Sequence, residues 1–306
     1  MPLFDRYVAV DWSASGRPTR GPNSIWTCVM AGRDGSTDLE NHPTREAATR
    51  HLAGVLAAAA DRVLVAFDFA FGFPNGFARA AHLAGEPPWV AAWRHLDGAL
   101  VDRPDNANNR FEVAERLNAR IGEGPGPFWG TARGARVSAH LSPRRAPGFP
   151  HGGLVEHRLA ERAFQRAGRW PCSVWQLTGA GSVGSQTLTG IPAVHRLRRR
   201  PDLVGRSLVW PFETGLVDDP TQGRPDVIVH AEVWPSAVPL DENLHPVRDA
   251  AQVIGLCRHL RELDSRGELG ALFAPDLDAA SALAVLDEEG WILGAPHTHR
   301  AGRSPV

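Results

Sequence analysis

Acidic residues at the ends of predicted strands are the most chemically suggestive feature of this sequence. Asp11 ends an apolar run that begins at Tyr7, and Asp68 ends a run of the same design that begins at Val63. Glu232 lies in a third run, Val-Ile-Val-His-Ala-Glu-Val. Because burying a carboxylate without a partner is costly, each of these acids needs either backbone N–H donors, as in a simple loop cap, or a cation.

Carboxylates that meet at one edge of a sheet repel one another and raise each other's pKa. A divalent cation removes that conflict, and oxygen ligands suit Mg²⁺ or Mn²⁺. Two such ions about 4 Å apart can activate water and stabilise the leaving oxygen in phosphodiester cleavage. Asp249 and Asp278 stand at the starts of predicted helices, where they are either further ligands or helix N-caps. The predicted metal ligands are Asp11, Asp68 and Glu232, which are also the candidate catalytic residues, with Asp249 or Asp278 as the last acid.

A second group of residues has the composition of a phosphate site. The stretch Leu177–Pro192 holds four glycines among Ser, Thr and Gln, and its backbone N–H groups could surround an anion. A flexible hairpin explains the same composition. Two arginines could add charge-assisted contacts, although in an Arg-rich chain they could equally be solvated surface residues. The candidate substrate-binding residues are Arg133, Arg136, Ser182, Gly184, Ser185 and Gln186.

Composition excludes several classes of function. The 33 basic residues are all Arg, so Schiff-base and Walker-type lysine chemistry is absent. The formal net charge of −1 provides no general basic field for nucleic acid. The three cysteines form no CxxC pair, and the histidines lack HExxH spacing, which argues against a zinc ribbon and a zinc hydrolase. No signal peptide or long apolar span is recognisable, so we expect a soluble, cytoplasmic protein.

The elements that must position these residues have the order of an α/β fold. Strands are predicted at Tyr7–Val10, Ser24–Met30, Thr37–Glu40, Val63–Asp68 and Asp226–Val233. Helices are predicted at 45–60, 76–83, 89–97, 108–122, 154–167, 247–263 and 276–288. A strand, hairpin, helix and returning strand, with acids ending the first and last strands, is typical of a ribonuclease H-like or actin-like core. We expect that core in residues 1–75 and 226–294, a largely helical insertion over 76–225 that covers the acidic edge, and a tail from 295 to 306.

Three motifs resemble the family of proteins with the domain of unknown function 429 (DUF429), which are described as predicted nucleases of ribonuclease H fold. They are Val8-Ala-Val-Asp-Trp-Ser-Ala, Ala66-Phe-Asp-Phe-Ala-Phe-Gly-Phe-Pro and His230-Ala-Glu-Val-Trp-Pro-Ser. The resemblance covers the two core halves and implies that Asp11, Asp68 and Glu232 match the family's acidic positions. A nuclease for long duplexes should show a basic stripe, and here only the Arg-rich insertion could supply one.

The sequence therefore predicts a Mg²⁺- or Mn²⁺-dependent phosphodiester hydrolase, most simply a nuclease acting on nucleic acid or a nucleotide-like phosphate. Two alternatives remain open at this point. One is an actin-like ATPase or phosphotransferase, and the other is a non-catalytic protein that binds a small anionic ligand.

Overall fold

Six strands form one mixed sheet in the part of the chain that the structure describes. The computed structural model describes residues 1–131, 134, 138–145, 148–179 and 181–296. The strands are β1 (Arg6–Asp11), β2 (Ile25–Ala31), β3 (Thr37–His42), β4 (Val63–Phe67), β5 (Ser207–Val209) and β6 (Ile228–Glu232). Their order across the sheet is β3-β2-β1-β4-β6-β5. β2 is antiparallel to both of its neighbours, whereas β1, β4, β6 and β5 are parallel. The predicted α/β class is confirmed.

Seven of the nine α-helices in the described ranges lie close to predicted helices, whereas Gly184–Arg198 and Gly270–Phe273 were not predicted. The α-helices are α1 (Arg45–Ala58), α2 (Phe77–Ala80), α3 (Pro88–Ala99), α4 (Arg110–Ile121), α5 (Leu159–Arg166), α6 (Gly184–Arg198), α7 (Arg248–Ser265), α8 (Gly270–Phe273) and α9 (Ala279–Ala284). Single turns of 3₁₀-helix occupy Pro235–Ala237 and Glu242–Leu244, and a π-helical turn, Val285–Glu289, follows α9. Within the described ranges, no helix has both the length and the hydropathy needed to cross a bilayer.

Alternation along the strands separates two hydrophobic cores. In β1, Val8 and Val10 face a core shared with α1, α3 and α6, whereas Tyr7 and Ala9 face a core shared with α7. Successive side chains of a strand point to opposite faces, so an apolar run without alternation predicts burial on both sides. Both faces of β1, β2, β4 and β6 are thus covered, whereas the edge strand β3 is largely exposed.

The structure differs from the sequence-based expectations at two elements. β5 lies inside the predicted insertion yet pairs with β6, and its three residues are too few for a periodic signal. The prediction of a loop or hairpin is wrong for the second half of Leu177–Pro192. This half is helical, because α6 begins at Gly184 and continues through Pro192. Two glycines, Gly184 and Gly190, and Pro192 lower the intrinsic helix propensity of this segment, and packing against the rest of the core overrides that preference.

Gly190 in α6 should be intolerant of a side chain. A Cβ atom there would lie 2.4 Å from the Phe69 ring, whereas a Cβ at the exposed Gly54 of α1 would meet nothing within 4 Å. We expect Gly190→Ala to destabilise the protein by about 1–3 kcal/mol through overpacking. Gly54→Ala should instead stabilise it by about 0.5–1 kcal/mol through helix propensity. Urea unfolding of both variants tests this, and equal effects would contradict the close packing of α6.

Candidate active site

A cleft of about 620 Å³ opens at the carboxyl ends of β1, β4 and β6. Ligand sites of open α/β sheets lie at this edge. Most of the sequence-predicted residues line the cleft, namely Asp11, Asp68, Ser182, Ser185, Gln186, Glu232 and Asp249. Arg133 and Arg136 lie outside the described residues. Chain segments separated by more than 200 residues therefore meet in one place, as the strand order requires.

Adjacent parallel strands place Asp11 beside Asp68. The register of β1 and β4 pairs Val10 with Phe67. The residues that follow this pair, Asp11 and Asp68, are therefore also neighbours. The backbone N–H of Asp68 donates to the Val10 carbonyl at 3.3 Å, and the Trp12 N–H donates to Oδ1 of Asp68 at 2.7 Å. Sheet hydrogen bonding thus continues one residue beyond the strands and holds the two carboxyl groups together.

The two carboxyl groups are close enough to share a hydrogen bond. Burial, followed by repulsion from Asp68, raises the pKa of Asp11 well above its ordinary value. Burial likewise raises the pKa of Asp68 to about 6, against the opposing effects of its hydrogen bonds to Asp11 and Trp12. Each group is nevertheless partly accessible from the cleft. The pair therefore retains a proton more readily than isolated carboxyl groups do, and a bound cation would remove that preference.

Asp249 is the third acid of this group. It lies in the first turn of α7, where its Oδ2 accepts the Asn23 N–H at 2.7 Å. Its charge raises the pKa of both Asp11 and Asp68, which shows that it is near the pair. Of the two alternatives that the sequence left open, Asp249 is the one in the cleft.

Asp278 has a different environment. Its carboxylate accepts hydrogen bonds from the backbone N–H of Ser281 at 2.8 Å and from the Ser281 hydroxyl at 3.0 Å. It is thus the N-cap of α9, and it is not among the residues that line the cleft. The capping interpretation of Asp278 fits the structure, and the metal-ligand interpretation does not.

Glu232 also lines the cleft, but an arginine holds its carboxylate. Nη1 of Arg158 donates to Oε2 at 2.8 Å, Nη2 donates to Oε1 at 2.5 Å, and the Phe71 N–H donates to Oε2 at 2.9 Å. Burial raises the pKa of Glu232, while Arg158 lowers it. With both oxygens bonded to protein donors, Glu232 is oriented toward Arg158 and is a poor metal ligand in this arrangement.

Arg158 belongs to a buried charge cluster that sequence analysis predicts only in part. Its spacing from Glu161 predicts an ordinary i,i+3 ion pair, but both side chains are buried, at 1% and 2% exposure. Arg158 also donates to the Glu289 carbonyl at 2.9 Å. The Glu289 and Glu288 carboxylates accept backbone N–H groups at the starts of α5 and α2. Through these hydrogen bonds, Glu288 and Glu289 connect the end of the π-helical turn to the wall of the cleft. No short-range spacing of residues in the sequence indicates this contact.

Positively charged groups also line the cleft that holds the acids. The N-terminus of α6 lines it, with no side-chain cap on Val183, and a helix N-terminus carries partial positive charge. Nε of Arg110 donates to the Ser185 hydroxyl at 2.8 Å, and that hydroxyl donates to the Leu177 carbonyl at 2.7 Å. Burial lowers the pKa of Arg110 to about 10, so it stays charged at neutral pH. Ser185 thus positions Arg110, which the sequence analysis missed.

The glycine-rich stretch has separate roles along its length. Gly179 and Gly181 have φ values of +107° and +69°, which favour glycine. A Cβ at Gly184 would lie 2.4 Å from the Val174 carbonyl oxygen, so only glycine lets α6 begin there. Nε2 of Gln186 donates to the Trp12 carbonyl at 2.7 Å. This bond ties the cationic end of α6 to the residue that follows Asp11.

Comparisons of the chain with known protein-family models, with curated proteins and with solved structures found no match. The resemblance to the DUF429 family therefore stays a prediction, and the functional argument depends on the geometry of the cleft.

Proposed function

We propose that this protein is a divalent-metal-dependent phosphoester hydrolase whose active site is the cleft between Asp11, Asp68 and Asp249 and the N-terminus of α6. The observation that carries the proposal is that three acids, Arg110 and a helix N-terminus line the same cleft. The carboxylates could bind a divalent cation, and Arg110 with the N-terminus of α6 could bind a phosphate. The β1-β2-β3-α1-β4 order supports a ribonuclease H-like core, and with it the DUF429 resemblance.

Asp11, Asp68 and Asp249 would hold a Mg²⁺ or Mn²⁺ ion after their side chains draw together, because in the described ranges their ligand atoms do not all lie within 4.8 Å of one another. Asp11 and Asp68 have raised pKa values because they are buried beside each other and near Asp249, and a divalent cation would relieve that repulsion. All three offer carboxylate oxygens, the ligand type these ions prefer. When bound, the ion would supply positive charge to the attacking water and to the phosphoryl oxygens. Glu232, predicted with Asp11 and Asp68 as a metal ligand and catalytic residue, would instead support the site through Arg158.

The other residues of the cleft would bind and orient the phosphate. Arg110 is fixed by Ser185 and by its stacking over Phe111, with 4.4 Å between the guanidinium carbon and the ring centroid. A guanidinium held in this way loses little entropy on binding a phosphoryl group. The exposed Arg248, beside Asp249, also lines the cleft. These contacts would hold the scissile group between the acids and α6.

The size and charge of the cleft favour a small phosphoester. Its volume of about 620 Å³ lies in the range of small-ligand sites, and the chain's net charge is −1. A nucleotide or a short single-stranded oligonucleotide fits these properties better than a long duplex. The same cationic helix end would suit ATP, so the phosphotransferase alternative should be assayed in parallel.

Activity should depend on both Mn²⁺ and Arg110. We expect hydrolysis of bis(p-nitrophenyl) phosphate or of a short oligonucleotide with Mn²⁺ and none with EDTA. Arg110→Gln should lower kcat/KM by about 10²–10³-fold because it removes a fixed charge from the phosphate. The matched control is Arg116→Gln on the same helix, an exposed residue that is not among those lining the cleft. Release of phosphate from ATP alone would favour the phosphotransferase, and no activity with any of the three would contradict the proposal.

A further inference from the structure

Glu40, His42 and His51 form a second group of potential metal ligands outside the cleft. They lie on β3 and α1, and each offers one ligand atom within 4.8 Å of the others. They line a separate cavity of about 600 Å³ that shares no residue with the cleft. The proposed hydrolase chemistry uses none of them.

The spacing of the ligand atoms suits a small transition-metal ion. Oε2 of Glu40 lies 3.3 Å from Nδ1 of His51 and 3.8 Å from Nδ1 of His42. Ligands of a tetrahedral zinc ion at about 2.0–2.1 Å would lie about 3.4 Å from one another. Small rotations of the exposed Glu40 side chain would therefore complete the arrangement.

His42 is oriented in advance. It is 4% exposed, and its Nε2 lies 2.8 Å from the hydroxyl of the buried Thr27. With its proton on Nε2, the ring donates to Thr27 and keeps the Nδ1 lone pair directed toward Glu40. A hydrogen bond from the second ring nitrogen is the usual way in which proteins orient a metal-binding histidine.

Charges of both signs surround this group, since Arg20 and Arg50 line the same cavity. Glu40 supplies the negative charge, and Arg50 is paired with Glu46 at 2.5 Å. Arg20 donates to the Asn41 carbonyl at 2.7 Å.

We propose that Glu40, His42 and His51 form a site for Zn²⁺ or a similar borderline divalent ion. Two imidazole nitrogens and one carboxylate select such ions over Mg²⁺ and Ca²⁺, which take oxygen ligands. Three protein ligands leave a further position for water or a ligand from the cavity. A bound ion would also join the edge strand β3 to α1.

The test is a titration of the full chain with Zn²⁺ in the Asp68→Asn background, which removes one of the three cleft acids and so weakens the competing site. We expect one equivalent to bind, with the affinity unchanged by millimolar Mg²⁺. His51→Gln should weaken binding by at least about 100-fold, since even outer-sphere changes cost 10–100-fold. Co²⁺ should give visible ligand-field absorption in the parent and lose it in His51→Gln.

Two variants make the result decisive. Glu40→Gln changes an exposed side chain, so it should fold normally and also weaken Zn²⁺ binding. His259→Gln replaces a half-buried histidine of α7 and should leave binding unchanged. Failure of the parent to bind Zn²⁺, or equal affinity in the parent, His51→Gln and Glu40→Gln, would overturn the proposal and leave only Glu–His ion pairs.

Discussion

Asp68→Asn should stabilise the metal-free protein and abolish its response to Mn²⁺. The pKa of Asp68 is raised to about 6 by burial, above its unfolded value near 4. The folded protein therefore binds more protons than the unfolded chain between pH 4 and 6, and stability falls as pH rises through that window. The asparagine amide can still accept from Trp12 and donate to Asp11. We expect a gain of about 2 kcal/mol at pH 8 that disappears near pH 4.

The same substitution should remove a carboxylate ligand. In the wild type, Mn²⁺ at 100 times its Kd would add about 2.7 kcal/mol to the free energy of unfolding, and this gain should be lost in Asp68→Asn. Metal binding should also weaken below pH 6, because protons compete for the ligands. Thermal melting at pH 8 and pH 4, with Mn²⁺ or EDTA, measures both effects. Opposite effects on stability and binding are typical of a functional site.

Asp249 and Asp278 provide the matched pair for this experiment. Asp249→Asn should lose the Mn²⁺ response, because Asp249 is the acid nearest the pair. Asp278→Asn should keep it and change stability little, since Asn is also a good N-cap. Lower stability of Asp68→Asn at pH 8, or a Mn²⁺ response in it equal to that of the wild type, would refute the metal site.

Arg158→Met should be the most destabilising single change in the cleft wall. It would leave the buried Glu161 and Glu232 carboxylates without their cation, and breaking a buried pair in this way typically costs about 3–5 kcal/mol. Arg145→Met is the matched control, because Arg145 pairs with Glu156 at 2.5 Å but is 54% exposed. An exposed pair contributes only about 0–1 kcal/mol. Guanidinium chloride unfolding of both variants measures the difference.

Glu232→Gln tests whether Glu232 holds Arg158, as its hydrogen bonds indicate, or binds a metal ion, as the sequence predicts. If Glu232 serves mainly to hold Arg158, the variant should be less stable than the wild type and should keep its Mn²⁺ response in thermal melting. A folded Glu232→Gln protein without that response would restore Glu232 as a metal ligand and require Arg158 to release it. A loss of stability in Arg158→Met no larger than in Arg145→Met would contradict the buried cluster.

Much of the site was predictable because strands carry a local signal. Asp11 and Asp68 end apolar runs, and parallel pairing brings the carboxyl ends of such runs to one edge. Capping is also local, and it explains why Asp278 bonds Ser281, three residues on. For Asp249 and Asp278, however, sequence alone left two interpretations, because a helix N-cap and a metal ligand need the same residue type.

The roles of Glu232, Arg158 and α6 could not be predicted, because they depend on contacts between distant segments. The partner of Glu232 is 74 residues away, and the helical state of Gly184–Arg198 depends on its packing within the core that it shares with α1 and α3. The amino-acid sequence alone determined five of the six described strands, their terminal acids and the lack of lysine chemistry, since these follow from composition and short-range periodicity. Tertiary packing determined which acid was left for a cation and which was neutralised by arginine, because charge pairing depends on distance in space.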